Sequence, residues 1–182
     1  MATWKIDVTH TTTGFSVKHM MFTTVRGKFN EVDGTITFDP ANPAASSVEA
    51  HVKSASVFTG VSDRDNHLKG ADFFDAENHP AISFKSTSVQ SATSSKATVL
   101  GDLTIRGTTK QVTMDVEYLG TGKNPWGATV AGFNATTTIN REDFGLTWNQ
   151  ALEAGGILVG REVKLELDVE AVLVPETENV AS

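Results

Sequence analysis

The chain contains no cysteine. That excludes disulfides, thiolate metal sites, iron–sulfur clusters and a cysteine nucleophile together. Long apolar runs are missing too, so no helical membrane span is expected. Basic residues are outnumbered, 15 Lys and Arg against 22 Asp and Glu, giving a formal net charge of −7 with no basic run. Nucleic-acid binding needs Lys and Arg to neutralise phosphates, so it is not expected. The opening MATWKIDVTHTT lacks the apolar centre of a secretory signal. Read as complete, the chain is expected in the cytoplasm; a mature form whose signal was replaced by Met would be periplasmic or secreted. Helix signal is scarce. At 182 residues, one domain can bury enough apolar surface without a covalent staple.

What is present is period-two alternation. In REVKLELDVEAVLV, Val163, Leu165, Leu167, Val169, Ala171 and Leu173 share one face. Lys164, Glu166, Asp168 and Glu170 share the other. This is a long strand with one buried and one wet face. The same reading places Thr13, Phe15, Val17 and His19 together, then Ile36 with Phe38, and Val48, Ala50 and Val52 before the phase drifts. Ile82 pairs with Phe84, and Ala131, Phe133, Ala135 and Ile139 line another strand. Val99, Leu103 and Ile105, a turn at Arg106–Thr109, then Val112, Met114, Val116 and Tyr118 predict a hairpin. Another hairpin, turning near Thr11, would put His10 at its turn and His19 far away. About eight strands result.

Many antiparallel strands leave a sandwich or a closed barrel. Long strands favour an eight-stranded barrel, because closure removes exposed edges. Small inward residues such as Ala50, Gly101, Ala131 and Ala135 are expected to leave room inside.

The segment DRDNHLKGADFFDAENHP, residues 63–80, breaks the pattern. Ser62 or Asp63 is expected to cap a helix running to Lys69, with Gly70 as its stop. Asp72 would start a second turn ended by Pro80. PANPAASS holds one further short turn. No histidine spacing matches a metal motif, so no metal site is expected. DRDNH fails as a calcium loop because Leu68 stands where glycine is required. No hydrolase elbow is present. The bland reading of the charges is that Arg64 and Asp65 anchor the segment through ion pairs.

Several blocks resemble the YceI-like family. They are WKID from Trp4, GFSVKH to His19, VRGKF to Phe29 and DRDNHLKGADFFDAENHPAISFKS from Asp63. GDLTIRGTTK from Gly101, INREDFG to Gly145 and VGREV from Val159 follow in order. The resemblance covers roughly residues 3–172 and implies one domain over 1–174, followed by a tail, 175–182, expected to be disordered. It implies an all-β, extended eight-stranded antiparallel lipocalin-like barrel with one or two short helices. It also implies an interior for polyprenyl chains, isoprenoid quinones or other long amphipathic lipids, held without a covalent cofactor. Family members are often periplasmic and often dimeric, so a homodimer is a possible partner state here. No catalytic activity is implied.

The candidate ligand wall is Phe15, Val17, Ile36, Val52, Ile82, Phe84, Met114 and Phe133. The candidate lid is Leu68, Phe73 and Phe74, and Trp148, closing REDFGLTW, is a candidate ligand contact near the barrel mouth. His19, Arg64 and Arg141 are candidates to meet a polar head group, although Arg141 is also expected to pair with Asp143 or Glu162. Trp126 sits on a loop and could touch a ligand, a membrane surface or its own loop. Two alternatives stay open: an enzyme using His67 or an Asp72/Asp75 pair as acid and base, and a filled barrel acting as a structural module.

Overall fold

The structure, a computed structural model, describes residues 1–90 and 92–176. The alternation becomes eleven antiparallel strands. They are β1 Ala2–Ile6, β2 Thr12–His19, β3 Thr23–Phe29, β4 Val32–Phe38, β5 Ser47–Lys53 and β6 Val57–Phe58. After the helix α1, Ser62–Lys69, come β7 Ala81–Gln90, β8 Lys96–Ile105, β9 Thr108–Lys123, β10 Thr129–Asn140 and β11 Val159–Leu173. The order β1–β4–β5–β7–β8–β9–β10–β11 closes on itself, because β11 also pairs with β1. This is the expected eight-stranded lipocalin-like barrel.

The remaining strands prolong three staves. β11 pairs with β2 through Val159–Asp168 and with β1 through Ala171–Leu173. Between them the chain bends at a 3-10 turn, Val8–His10. Asp7 holds the bend: one carboxylate oxygen accepts from Thr9 N at 2.9 Å and Thr9 Oγ1 at 2.8 Å, and the other faces His10 Nδ1 at 2.9 Å. The backbone N of Asp7 and the hydroxyl of Thr11 both donate to Glu170 O, at 2.8 and 3.3 Å, fixing the bend to β11. β1 and β2 are therefore one bent stave, not the hairpin expected near Thr11. The true hairpin joins β2 to β3 and reverses at Met20–Met21.

β3 and β4 form a second broken stave, pairing with β2 and β1 respectively. The third is β5–β6, interrupted by a 3-10 turn, Ser54–Ser56. That turn is the phase drift seen after Val52. Ser54 donates from N to Pro80 O at 2.9 Å and from Oγ to His79 O at 2.8 Å. The β8–β9 turn is tighter than expected. Only Arg106 and Gly107 leave the ladder, with φ of 48° and 74°, and Ile105 already faces Thr108.

The helix α1 ends at Gly70 as expected, but its N-cap is Val61, with no side-chain cap. Asp63 and Asp65 in its first turn face the positive end of the helix dipole. No second helix follows Asp72; turns carry the chain to Pro80. Among the described residues the expected ion pairs of Arg64 and Asp65 do not form. Both side chains clasp Thr59 instead. Asp65, buried, accepts from Thr59 N at 2.8 Å, and Arg64 donates from Nε to Thr59 Oγ1 at 2.8 Å and from Nη2 to Thr59 O at 3.1 Å. PANPAASS contains the expected turn, Pro43–Ala45. Of the tail expected to be disordered, residues 177–182 lie outside the described residues.

Two apolar clusters occupy the barrel. Trp4, Phe38, Ala131, Phe133 and Ala171 pack at the end where β1 begins. Phe73, Ile105, Ile139, Phe144 and Leu146 belong to the larger cluster toward α1.

Candidate functional site

A cavity of about 470 Å³ runs through the barrel and is bordered by residues of both clusters. The barrel is hollow partly because rings lie flat on the wall. A Cβ on Gly101 would sit 2.4 Å from Cζ of Phe84, and one on Gly27 would sit 2.4 Å from Cζ of Phe15. Backbone without side chains absorbs those rings and keeps them out of the lumen. Gly101 thus makes room for Phe84 rather than for a ligand. Ala131 packs in the end cluster, while Ala50 and Ala135 do border the cavity.

All fifteen candidate wall, lid and head-group residues, Trp148 among them, border this space. Phe15, Val17, Ile36, Val52, Ile82, Phe84, Met114 and Phe133 come from strand faces turned inward. Leu68, Phe73, Phe74 and Trp148 close the α1 end. His19, Arg64 and Arg141 lie at that same end, with Lys18. At the opposite end the border is Phe38, Tyr118 and Phe133, packed at 4.9 to 5.6 Å between ring centres, with Pro43, Ser46 and residues 93–96.

The lid is built from aromatic edges. His67 meets Phe73 at 4.9 Å and Trp148 at 4.7 Å, both edge-on, and Phe73 meets Trp148 at 5.5 Å. Phe74 packs on Phe29 at 5.4 Å, and Phe29 on Phe15 at 5.6 Å. Arg106 donates to Phe73 O at 3.0 Å and ties the lid to the β8–β9 turn. His67 Nε2 lies 2.9 Å from Asp72 Oδ2. Asp75 instead receives both bonds of Asn78 Nδ2, at 3.1 Å each, and lies 4.0 Å from His79 Nε2. The two aspartates thus have separate partners and do not act as one carboxylate pair.

Arg141 is 4% exposed. Its guanidinium meets three carbonyls: Gly160 O at 2.8 Å, Leu146 O at 2.6 Å and Val159 O at 3.3 Å. The expected pairing with Asp143 or Glu162 is replaced by this backbone cradle. Burial lowers the guanidinium pKa from its ordinary value, partly opposed by nearby Glu142. Three of its five N–H groups are engaged, and the side chain borders the cavity.

Sequence reading passed over Phe144 and Leu146, both buried and both bordering the cavity. They belong to a 3-10 turn, Arg141–Phe144, and its exit through Gly145 at φ 80°. The capping Asn140, which accepts from Glu142 N at 3.0 Å, was the available signal. Also passed over was Asp7, His10 and Glu170, whose ligand atoms lie close enough to share an ion, at the exposed bend away from the cavity. Trp126 is exposed on the β9–β10 loop and does not border the cavity. Among the described residues, no helix is long and apolar enough to cross a membrane.

Comparison with known proteins agrees with this architecture. A UPF0312 protein of Staphylococcus aureus strain MSSA476 is 39% identical over 171 residues, covering 93% of this chain and 97% of that protein. The crystal structure of Burkholderia cenocepacia BcnA superposes with a TM-score of 0.80 at 25% identity, covering 91% of this chain and 98% of that one. A polyisoprenoid binding domain from Saccharophagus degradans shares the fold with a TM-score of 0.69 at 11% identity, covering 96% and 100%. The family model for the YceI-like domain matches residues 4–171. The chain belongs to the YceI-like family.

Proposed function

We propose that this barrel holds one long-chain isoprenoid lipid, a polyprenyl chain or an isoprenoid quinone, and carries or stores it without chemical change. The observation that carries this reading is the cavity of about 470 Å³, walled by Val, Leu, Ile, Met and Phe side chains. Its volume suits a small-molecule site, for which 300–1,000 Å³ is usual. A neighbour of the same fold is described as a polyisoprenoid binding domain. Each CH₂ removed from water contributes about 0.8 kcal/mol, so a long chain binds firmly with few polar contacts. The lipid's polar head lies at the α1 end, near Lys18, His19, Arg64 and Arg141. Binding rather than catalysis is supported by the YceI-like family match and by a neighbour of the same fold named as a binding domain.

Extraction of the purified protein with organic solvent, followed by mass spectrometry, tests the reading. About one prenyl lipid or quinone per chain is expected. Protein free of lipid from several hosts, which also takes up no detergent-dispersed polyprenol, overturns it.

A further inference from the structure

The tip of the β2–β3 hairpin places three large apolar side chains in water. Met20, Met21 and Phe22 are 38%, 62% and 83% exposed. Met20 and Met21 adopt φ of 53° and 65°, a region that favours glycine, yet methionine occupies both positions. The tip is held in shape. Phe22 N donates to His19 O at 3.1 Å, and Met20 N to Leu158 O at 2.9 Å. A Cβ on Gly156 would lie 2.3 Å from Sδ of Met21, so the 152–158 loop packs directly beneath it.

Charge is distributed unevenly around this hairpin. Residues 12–29 contain Lys18, Arg26 and Lys28 and no acidic residue, although Asp and Glu outnumber Lys and Arg over the chain, 22 to 15. Lys18 stands beside the tip and donates to Thr24 Oγ1 at 2.8 Å, and Lys28 lies farther off over the Phe58 ring. On the neighbouring β11, Glu166, held by Lys164 at 2.7 Å, also faces Arg26, while the exposed Glu153 belongs to the loop beneath Met21. The hairpin is also joined to the cavity. Val17, Lys18 and His19, leading into the tip, border the lumen, as do Leu158 and Val159 beside it.

We propose that this tip docks on an anionic lipid bilayer, and that the docked state is the one in which lipid enters or leaves the cavity. The proposal rests on the lipid-binding reading and names the partner that supplies the cargo. A protruding three-residue tip offers far less than the roughly 800 Å² per partner of a stable protein interface. It does suit shallow insertion, with apolar side chains entering the acyl boundary and Lys18, then Arg26 farther along the hairpin, meeting acidic head groups.

The test is flotation of the full chain with vesicles of phosphatidylcholine, alone or with one third phosphatidylglycerol, paired with polyprenol uptake from the same vesicles. Wild type should float with the anionic vesicles. A Met21→Ser/Phe22→Ser variant should bind them at least about tenfold less, following the apolar area removed. Its uptake from vesicles should slow in parallel, while uptake from detergent stays at the wild-type level. An Arg26→Glu/Lys28→Glu variant should lose the preference for anionic vesicles. Three results overturn the proposal: no flotation of wild type with either vesicle, equal flotation and uptake by the tip variant, or a tip variant that only dissolves a dimer. If wild type takes up no polyprenol even from detergent, the cavity reading fails, while flotation still decides the docking.

Discussion

Phe84 lies flat against Gly101 across the β7–β8 pair, so closely that a Cβ there would meet its ring at 2.4 Å. Backbone is close as well, with Lys85 O at 2.7 Å from the same point. The ring cannot tilt into the wall; it can only swing into the lumen. Gly101→Ala should therefore lower stability by about 1–3 kcal/mol in urea unfolding, the usual cost of forcing a packed side chain off its place. It should also reduce the amount of lipid that copurifies. Adding Phe84→Leu should restore part of the stability, because the shorter side chain leaves the wall free. Full stability of the single variant would refute the wall-packing account.

Filling the lumen separates binding from folding. Ala135 faces Val116 on β9 and Leu167 on β11 and borders the cavity. Ala135→Phe places a ring in space that the protein leaves empty. Stability should change by less than about 1.5 kcal/mol, since no existing contact is removed. Lipid recovered by solvent extraction should fall to a small fraction of wild type. Unchanged lipid content would mean that the chain lies elsewhere.

Arg141 is expected to be structural in a way that lysine cannot reproduce. Its planar fork reaches Leu146, Val159 and Gly160 carbonyls at once. Arg141→Met should cost about 3 kcal/mol or more, because those acceptors lose a charged donor in a buried setting. Arg141→Lys should recover less than half of that loss, having no fork geometry. Urea unfolding of the two variants measures both. Equal stability of Lys and Arg would show that charge alone matters there.

The bend between β1 and β2 carries a pH signature. The hydrogen bond that the His10 ring donates to Asp7 raises the His10 pKa above 6.5, and the same bond, with those from Thr9, lowers Asp7 below 3.8. The histidine's stabilising part is fully present below pH 6.5 and fades as pH rises through its raised value. The aspartate's part is present above 3.8 and fades as pH falls through its lowered value. NMR titration of the His10 ring should thus give a midpoint above 6.5, returning toward it in Asp7→Asn. An unshifted midpoint in the intact protein would contradict the paired bend.

Much of the barrel could be read from residue order because side chains alternate sides along a strand. Every inward residue named on β11, from Val163 to Leu173, is at least partly buried, and Lys164, Glu166 and Asp168 are exposed. The bends were not readable in this way. Whether Thr11 begins a hairpin or continues a stave depends on Glu170, far along the chain. The hollow interior was equally hidden, since filled and empty barrels share one alternation. Only Gly27 and Gly101, each facing a phenylalanine, hinted at rings laid against the wall. Arg141 misled because nearby opposite charges suggest ion pairs, whereas the 3-10 turn points its fork at carbonyls. The helix start misled similarly: Ser62 is a good cap by type, but Val61 holds the position.

The closing seam has a consequence for how the molecule is made. Trp4, Lys5 and Ile6 pair with Leu173, Val172 and Ala171, joining the first strand to the last. No lumen can exist until that final strand has left the ribosome. The chain must wait with its apolar faces uncovered, and contacts so distant in sequence form slowly. The lumen therefore forms only once β11 is available to close the seam.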